Sequence, residues 1–524
     1  MSRKPEFGPW KAGLLCTLPN AFNNMDASVF PLAMTMVGED LGLDNTYLQI
    51  LSFLPPLMGA TCALVSGQMG DRITPDRLLR LGLWISSISL LVSSQCDAFA
   101  TLVVARACFG AGIGIAFPNT GPCIRALVPP ARLTQAFGVL AVNVAIWTLI
   151  SPLVMGQLLS FMPGGWHGVY AVVGCIGVVF AILQTVFIPW FPAKPPCDRP
   201  VDYNGIVWVS LFILALMTSL STLSIDAVPL SGTLIFAAIA LVALLLLVRR
   251  EKSFSHPILP GHIMRDSQII RLLTANLFVS VGFGAFGFIT ASVFEIHYGF
   301  SSGTTGIIMS IGPALKIYAG VQTHKLSAKA VARKYLFYTG LLGLVGNFIA
   351  GLGYCTAYWV IVVGMIASQF GTTWFIPGIQ ANLLVRGPKD AQSIIFALFY
   401  VTQCAGKAFG VAVLTLVQTG ILGNIMGEAP YDTDSDKYRQ AYGISAMLGF
   451  LVVQAILCHF PWQTKHIGLS EADRHKPGFD LQEFENQAPG AAALAPGASL
   501  EQSLIASGRS VSSVHGEEGS SSDI

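Results

Sequence analysis

Apolar stretches of about 20 residues, the length that carries a helix across a bilayer's hydrocarbon core, recur along nearly the whole chain. Fourteen can be laid down, near 14–35, 48–69, 79–95, 99–122, 134–160, 168–191, 204–224, 229–248, 269–294, 303–322, 335–352, 356–378, 391–422 and 441–460. Backbone N–H and C=O groups find no water in lipid, so each stretch is predicted to be a helix. The glycines scattered through them suit spanning helices, which approach closely over small residues.

The polar connectors carry a second pattern. With the N-terminus in the cytoplasm, the inner loops hold Arg72/Arg77/Arg80, Arg125/Arg132, Lys194/Arg199, the run from Arg249 to Arg271, Lys325 to Lys334, and Arg386/Lys389. The outer connectors near 37–47, 96–98, 162–167, 225–228, 295–302 and 353–355 contain no Lys or Arg. This is the positive-inside distribution, and dropping one span would invert every later loop. Only the last outer loop departs, with Lys437 and Arg439 beside four acids. Fourteen spans with both termini cytoplasmic is the resulting expectation.

Composition narrows the class. Hydrophobic residues make up 53% of the 524 residues and charged ones 11%, with a mean hydropathy of +0.63. A soluble surface needs about a quarter charged residues, so the outer face is expected to meet lipid. A net charge of +2 gives no footprint for nucleic acid. The ten cysteines lie singly, most of them in apolar runs, and no Cys/His cluster has metal-ligand spacing, so neither metal nor cofactor is expected. Met1–Lys11 is polar and lacks a leader's exit site. Residues 463–524 turn Ala/Pro/Gly-rich and then Ser-rich, a composition expected to stay disordered.

Several motifs carry chemistry. After the second span comes Gly67-Gln-Met-Gly70-Asp71-Arg72. Glycine there lets two helices meet at the inner mouth, and Asp71 with Arg72 can form a latch. The fourth span reads Leu102-Val-Val-Ala-Arg106-Ala-Cys-Phe-Gly110-Ala-Gly112. An arginine within a span is costly unless it faces a cavity or partner; snorkelling to the interface is the alternative. The fifth span keeps a frame of Gly138, Trp147, Ser151-Pro152 and Met155-Gly156. The first span carries Asn23-Asn24-Met25-Asp26-Ala27-Ser28. There Asp26 either exchanges a proton in a low-dielectric site or is held by Asn23 or Asn24. Lys316 and Lys407 lie inside C-terminal spans without an acidic neighbour in sequence. Facing a cavity they would favour an anion; pairing across helices or snorkelling are the alternatives. Glu295 and His297 are expected at the outer mouth, in solvent.

These motifs resemble those of the major facilitator superfamily, at the matching places in the chain. The second-span loop is similar to its G-x-x-x-D-R stretch, the fourth span to L-x-x-x-R-x-x-Q-G-x-G with Phe109 for Gln, and the fifth to its antiporter motif with three glycines replaced. Val201-Asp202-Tyr-Asn-Gly205, an extra apolar pair, and Arg250-Glu251-Lys252 before His256-Pro257 resemble the fourteen-span drug:proton antiporters. The resemblance covers about 20–460. It implies an all-α membrane protein of the major facilitator fold: an N-terminal six-helix bundle (14–191), a linker with two extra helices (192–268) and a C-terminal bundle (269–462), between a short inner N-terminus and a cytoplasmic tail. It implies alternating access about a midplane site and export of small amphipathic compounds against protons. Asp26 would be the proton-sensitive carboxylate, Arg106 its modulator, and Gly67/Asp71/Arg72 the latch.

Two other readings remain open: proton-coupled transport of an anionic metabolite, siderophore or inorganic anion, and a transporter-like sensor. No GxxxxGK[ST], HExxH or GxSxG occurs, so ATP-driven pumping and enzymatic chemistry are not expected. The expected partners are a small-molecule substrate, protons and the bilayer. The chain is expected as a monomer in the plasma membrane, with an organelle membrane as the alternative.

Overall fold

The computed structural model describes residues 8–43, 45–70, 73–129, 132–192, 202–222, 230–254, 266–292, 298–314, 357–386 and 392–422, with a few more at 294–295, 317 and between 342 and 353. Every described element is helical. In chain order they are α1 (Pro9–Cys16), α2 (Leu18–Leu41), α3 (Asn45–Gly70), α4 (Pro75–Ser93), α5 (Phe99–Ala116), α6 (Thr120–Leu127), α7 (Leu133–Phe161), α8 (Gly165–Phe187), α9 (Tyr203–Thr222) and α10 (Leu230–Ser253). They continue with α11 (Ser267–Ser292), α12 (302–314), α13 (Tyr358–Arg386) and α14 (Gln392–Leu422). Helix covers twelve of the expected spans. The stretch at 335–352 is described only in fragments, and 441–460 lies outside the described residues.

Two spans differ from the uninterrupted helices the hydropathy pattern predicts. The first is α1 and α2, broken at Thr17, where the hydroxyl turns back to the carbonyls of Gly13 and Leu14 and Pro19 starts the next helix. Asn143 of α7 donates to that hydroxyl at 2.6 Å, fixing the break. The fourth is α5 and α6, joined by a 3₁₀ turn at Phe117–Asn119. Asn119 secures this turn by donating to Ser66 Oγ and the Ile115 carbonyl, both at 2.8 Å.

The outward faces are apolar. Val104, Val186, Leu234, Leu241 and Leu245 are each more than half exposed, which water would disfavour and lipid accepts. Among the described residues, six helices are long and apolar enough to cross a membrane. The most apolar, Leu230–Ser253, is only 22% buried over its most apolar 18 residues, so it sits at the periphery. It packs on α9, which in turn touches α3 and α14. The inner ends of this pair are clasped by Arg250, whose Nε donates to Asp202 at 2.9 Å. Asp202 also accepts from the Gly205 N–H at 3.0 Å, capping α9.

Inner and outer denote the basic-loop and non-basic-loop ends. Among the described residues, the N- and C-terminal helices meet along an inner and an outer seam. At the inner one, α3 lies on α14: a Cβ on Gly67 would stand 2.9 Å from that of Ala397 and 3.2 Å from the Ser393 carbonyl. Higher up, the Phe117 and Tyr400 rings meet at 4.4 Å between centroids. At the outer seam, α7 lies on α12: a Cβ on Gly156 would reach the Ser302 carbonyl at 2.6 Å, and one on Gly306 the Pro152 carbonyl at 2.3 Å. Both contacts are backbone to backbone, so a side chain cannot be accommodated by a rotamer change. Gly306→Val is therefore expected to force the outer seam apart and destabilise the fold by about 1–3 kcal/mol. A lowered unfolding temperature in detergent checks this.

Candidate functional site

Charge buried within an apolar bundle stays only where partners satisfy it, and among the described residues α5 carries such a charge. Arg106, on α5, is 2% exposed, so the side chain does not snorkel to the interface. Its Nη1 donates to Asp26 of α2, whose side chain is 6% exposed. The same nitrogen lies 3.4 Å from the Tyr170 hydroxyl of α8, and Nε points to the Leu51 carbonyl of α3 at 3.4 Å. The Phe30 ring, one turn beyond Asp26, lies 4.4 Å from the guanidinium carbon, within cation–π range.

One arginine thus joins four helices. Each local sequence has a reason to present its group. Asp26 and Phe30 are four apart and share a face of α2, and Ser28 is occupied by the Asn24 carbonyl at 2.9 Å. The glycines of α5 let α3 come close enough for the Leu51 contact: Gly110 abuts the Pro55 backbone, and an added Cβ there would sit 2.3 Å from its carbonyl. Tyr170, Phe22 and Phe109 are fully buried around the pair. Neither Asn23 nor Asn24 is the group that holds the carboxylate. Tyr170 and Phe30 carried no sequence signal, because an aromatic in a span reads as ordinary packing.

The other sequence candidates disperse. Gly67 lines the inner seam, while Asp71 and Arg72 lie outside the described residues, as does Lys316. On α7, Gly138 and Ser151 belong to the helix, and Pro152 and Gly156 face α12. Trp147 instead packs edge-on against Phe180 of α8 at 5.5 Å. Gly156 thus faces the C-terminal helices, and Trp147, in place of a glycine, packs within the N-terminal set.

Lys407 lies midway along α14 and is half-buried. Gly406 and Gly410 rest on the Leu277 and Val281 carbonyls of α11, and Phe409 faces outward at 36% exposure. At 3.6 residues per turn, Lys407 points about 160° away from Phe409, toward the interior. No Asp or Glu occurs in any of the six C-terminal apolar stretches, 269–294 through 441–460.

A second buried pair closes the inner end of α4. Asp76 and Arg80 are 2.7 Å apart and buried; Arg80 also donates to the Ile188 carbonyl at 2.6 Å and stacks on Trp190 at 3.8 Å. Here the arginine satisfies the end of α8, a structural duty. Glu295, expected in solvent, is half-buried instead, with Oε1 enclosed.

Removing either member of the Asp26–Arg106 pair leaves an uncompensated buried charge, which costs about 3–5 kcal/mol. Asp26→Asn and Arg106→Met are each expected to destabilise the protein by that order. The double variant is expected to be more stable than the sum of the singles implies. Thermal unfolding of the four proteins in detergent closes the cycle; additive effects would contradict the pairing.

Comparisons with known proteins agree with this architecture. The family model for the Major Facilitator Superfamily matches residues 18–411. The chain is 25% identical over 351 residues to the multidrug efflux pump LfrA of Mycolicibacterium smegmatis, covering 65% of this chain and 66% of that one. It is 22% identical to the major facilitator superfamily multidrug transporter mfsC of Aspergillus fumigatus, over 86% of each chain. Among solved structures, a bacterial homologue of the human drug peptide transporters PepT1 and PepT2 superposes with a TM-score of 0.60 at 15% identity, over 87% of this chain and 97% of that one. With apolar-faced helices built for a bilayer and a family match across most of its length, this integral membrane protein belongs to the Major Facilitator Superfamily.

Proposed function

We propose that the chain is a secondary active transporter that exports small amphipathic compounds in exchange for protons by alternating access. The observation that carries this reading is the buried Asp26–Arg106 pair, a carboxylate and guanidinium held by four helices. Protonating Asp26 removes the counter-charge and leaves Arg106 with only the Leu51 carbonyl, the Tyr170 hydroxyl and the Phe30 face. A buried cation so stripped drives a rearrangement of α2 against α5 and α3. Proton binding thereby becomes helix movement, which the two glycine-lined seams can transmit to the inner and outer ends.

The energy source fits the chemistry: one charge moving through 100 mV is worth about 2.3 kcal/mol. A multidrug efflux pump and a tetracenomycin C resistance and export protein among the relatives support the direction of transport. The plasma membrane is the corresponding location, with both termini in the cytoplasm. A second reading has its own observation. Lys407 faces inward from helices that contain no acid, so an anionic substrate would supply the missing counter-charge.

Flux in proteoliposomes with an imposed proton gradient separates these readings, using a lipophilic cationic dye and an amphipathic carboxylate in parallel. Export of the dye against its gradient, with Asp26→Asn retaining only downhill exchange, is the expected result. Movement of the carboxylate alone, stopped by Lys407→Gln, replaces the first reading with the second. Flux indifferent to the proton gradient contradicts both.

A further inference from the structure

At the outer ends of α2, α4 and α8, one histidine touches two other helices at once. His167, in the first turn of α8, lies with Nδ1 3.1 Å from the Ser94 carbonyl, at the end of α4. Its Nε2 lies 3.0 Å from Asp40 Oδ2, in the last turn of α2. The preceding Gly164 and Gly165 hold φ of 87° and 54°, a left-handed pair that suits glycine. After this bend the Trp166 and His167 rings stack at 3.7 Å between centroids, and Trp166 Nε1 donates to the same Asp40 oxygen at 3.0 Å.

Donor counting fixes the protonation of this cluster. A neutral imidazole has one N–H and one bare nitrogen. Here both nitrogens face oxygens that only accept, a backbone carbonyl and a carboxylate. Asp40 is the ionised partner: hydrogen bonds from His167 first and Trp166 next hold it below the usual carboxylate range. Only the imidazolium, with two N–H groups, satisfies both contacts; loss of either proton sets lone pair against lone pair. Electrostatics favour the same form. Ser94 is the C-cap of α4, an end whose dipole attracts a cation, and Asp40 offsets the positive end of α8 on which His167 sits.

We propose that His167 is a pH sensor at the outer end of this protein. With a proton on each ring nitrogen it clasps α2, α4 and α8 together, and it lets go as the outer medium turns alkaline. This proton comes from and returns to one side, so it regulates the cycle and carries no charge across the membrane. The inference rests on the transport reading only for its consequence. Trp166 packs edge-on against Tyr170 at 5.9 Å, and Tyr170, one turn along α8 from His167, reaches Arg106. Since α2 bears Asp26, the clasp holds together two helices that present groups to the central arginine.

The outer turns packed around His167 otherwise carry few titratable groups. Glu39 of α2 and Asp97 after α4 are exposed acids, which add to the pull on a cation. The Cys96 thiol is occupied by the Val92 carbonyl at 3.3 Å, and the last turns of α7 present Gln157, Ser160 and Phe161. The connectors 37–47, 96–98 and 162–167 contain no Lys or Arg, and Asp44 lies outside the described residues. A clasp that needs the histidine proton is supported at low pH and loses that support as pH rises through the range where imidazoles titrate. Asp40 sets the opposite limit, since a carboxylate held below its usual range withdraws its support only as pH falls past that range.

Hydrogen exchange of the full chain in lipid nanodiscs, corrected for intrinsic rate, reads the clasp without substrate. Between pH 6 and 8 the amides of 40–43, 94–96 and 168–171 are expected to lose about threefold in protection, while those of the α3–α14 seam do not change. His167→Gln cannot change charge and is expected to be weakly protected at both values. His167→Arg keeps N–H donors and charge at any pH and is expected to be protected at both. Asp40→Asn removes the counter-charge and is expected to reduce the wild-type response. Equal wild-type protection at pH 6 and 8, or a pH response that persists in His167→Gln, overturns the proposal. Because no flux is measured, failure of proton-driven export would leave this result standing, and the reverse also holds.

Discussion

A guanidinium inside an apolar bundle has to be surrounded before the bundle can close. Arg106 does this with a carboxylate, a hydroxyl, a carbonyl and an aromatic face, taken from three other helices. The geometry of α2, α3, α5 and α8 is therefore coupled: none can move far without undoing a contact to the same charge. In lipid the penalty for doing so is larger than in a soluble core, since no water enters to replace the lost partner. Much else follows from this constraint. Gly110 has no side chain because α3 must approach α5 for the Leu51 contact, and Asp26 and Phe30, one turn apart on α2, reach the guanidinium together.

The two seams extend this rigidity to the ends. At each, glycine brings backbones together: Gly67 at the inner end and Gly156 with Gly306 at the outer. Such contacts are strong when shut and have no side chains to interlock, so they can part and re-form as units. A central charge that changes partners, with seams that open as rigid faces, is a physical route from proton binding to alternating access. The Asp76–Arg80 pair contrasts with it. It too is buried, but its arginine is committed to the backbone end of α8, and so it serves as a fixed brace.

Much of the fold was legible because burial in lipid demands long apolar runs, and these are hard to mistake. Asp26 and Arg106 stood out for the same reason, being charges where charge is expensive. Their surroundings were not legible. Tyr170 and Phe30 are chosen by tertiary convergence, and a single sequence does not record which faces of α2 and α8 point inward. Thr17 looked like an ordinary polar residue, yet it breaks the first helix with help from Asn143, more than a hundred residues away. Glu295 was misread as solvated because its position at the end of a span says nothing about the turn that folds over it. Asp202 and Arg250 were noted as separate motifs, and only the packing of α9 on α10 shows that they form one clasp.

Proton exchange at the central pair is the claim on which the account depends most. Purified protein in weakly buffered detergent should release a proton when a transported compound binds, and the Asp26→Asn variant should bind with no such release. Binding without any change in proton count in the native protein, or the same release from Asp26→Asn, would contradict it.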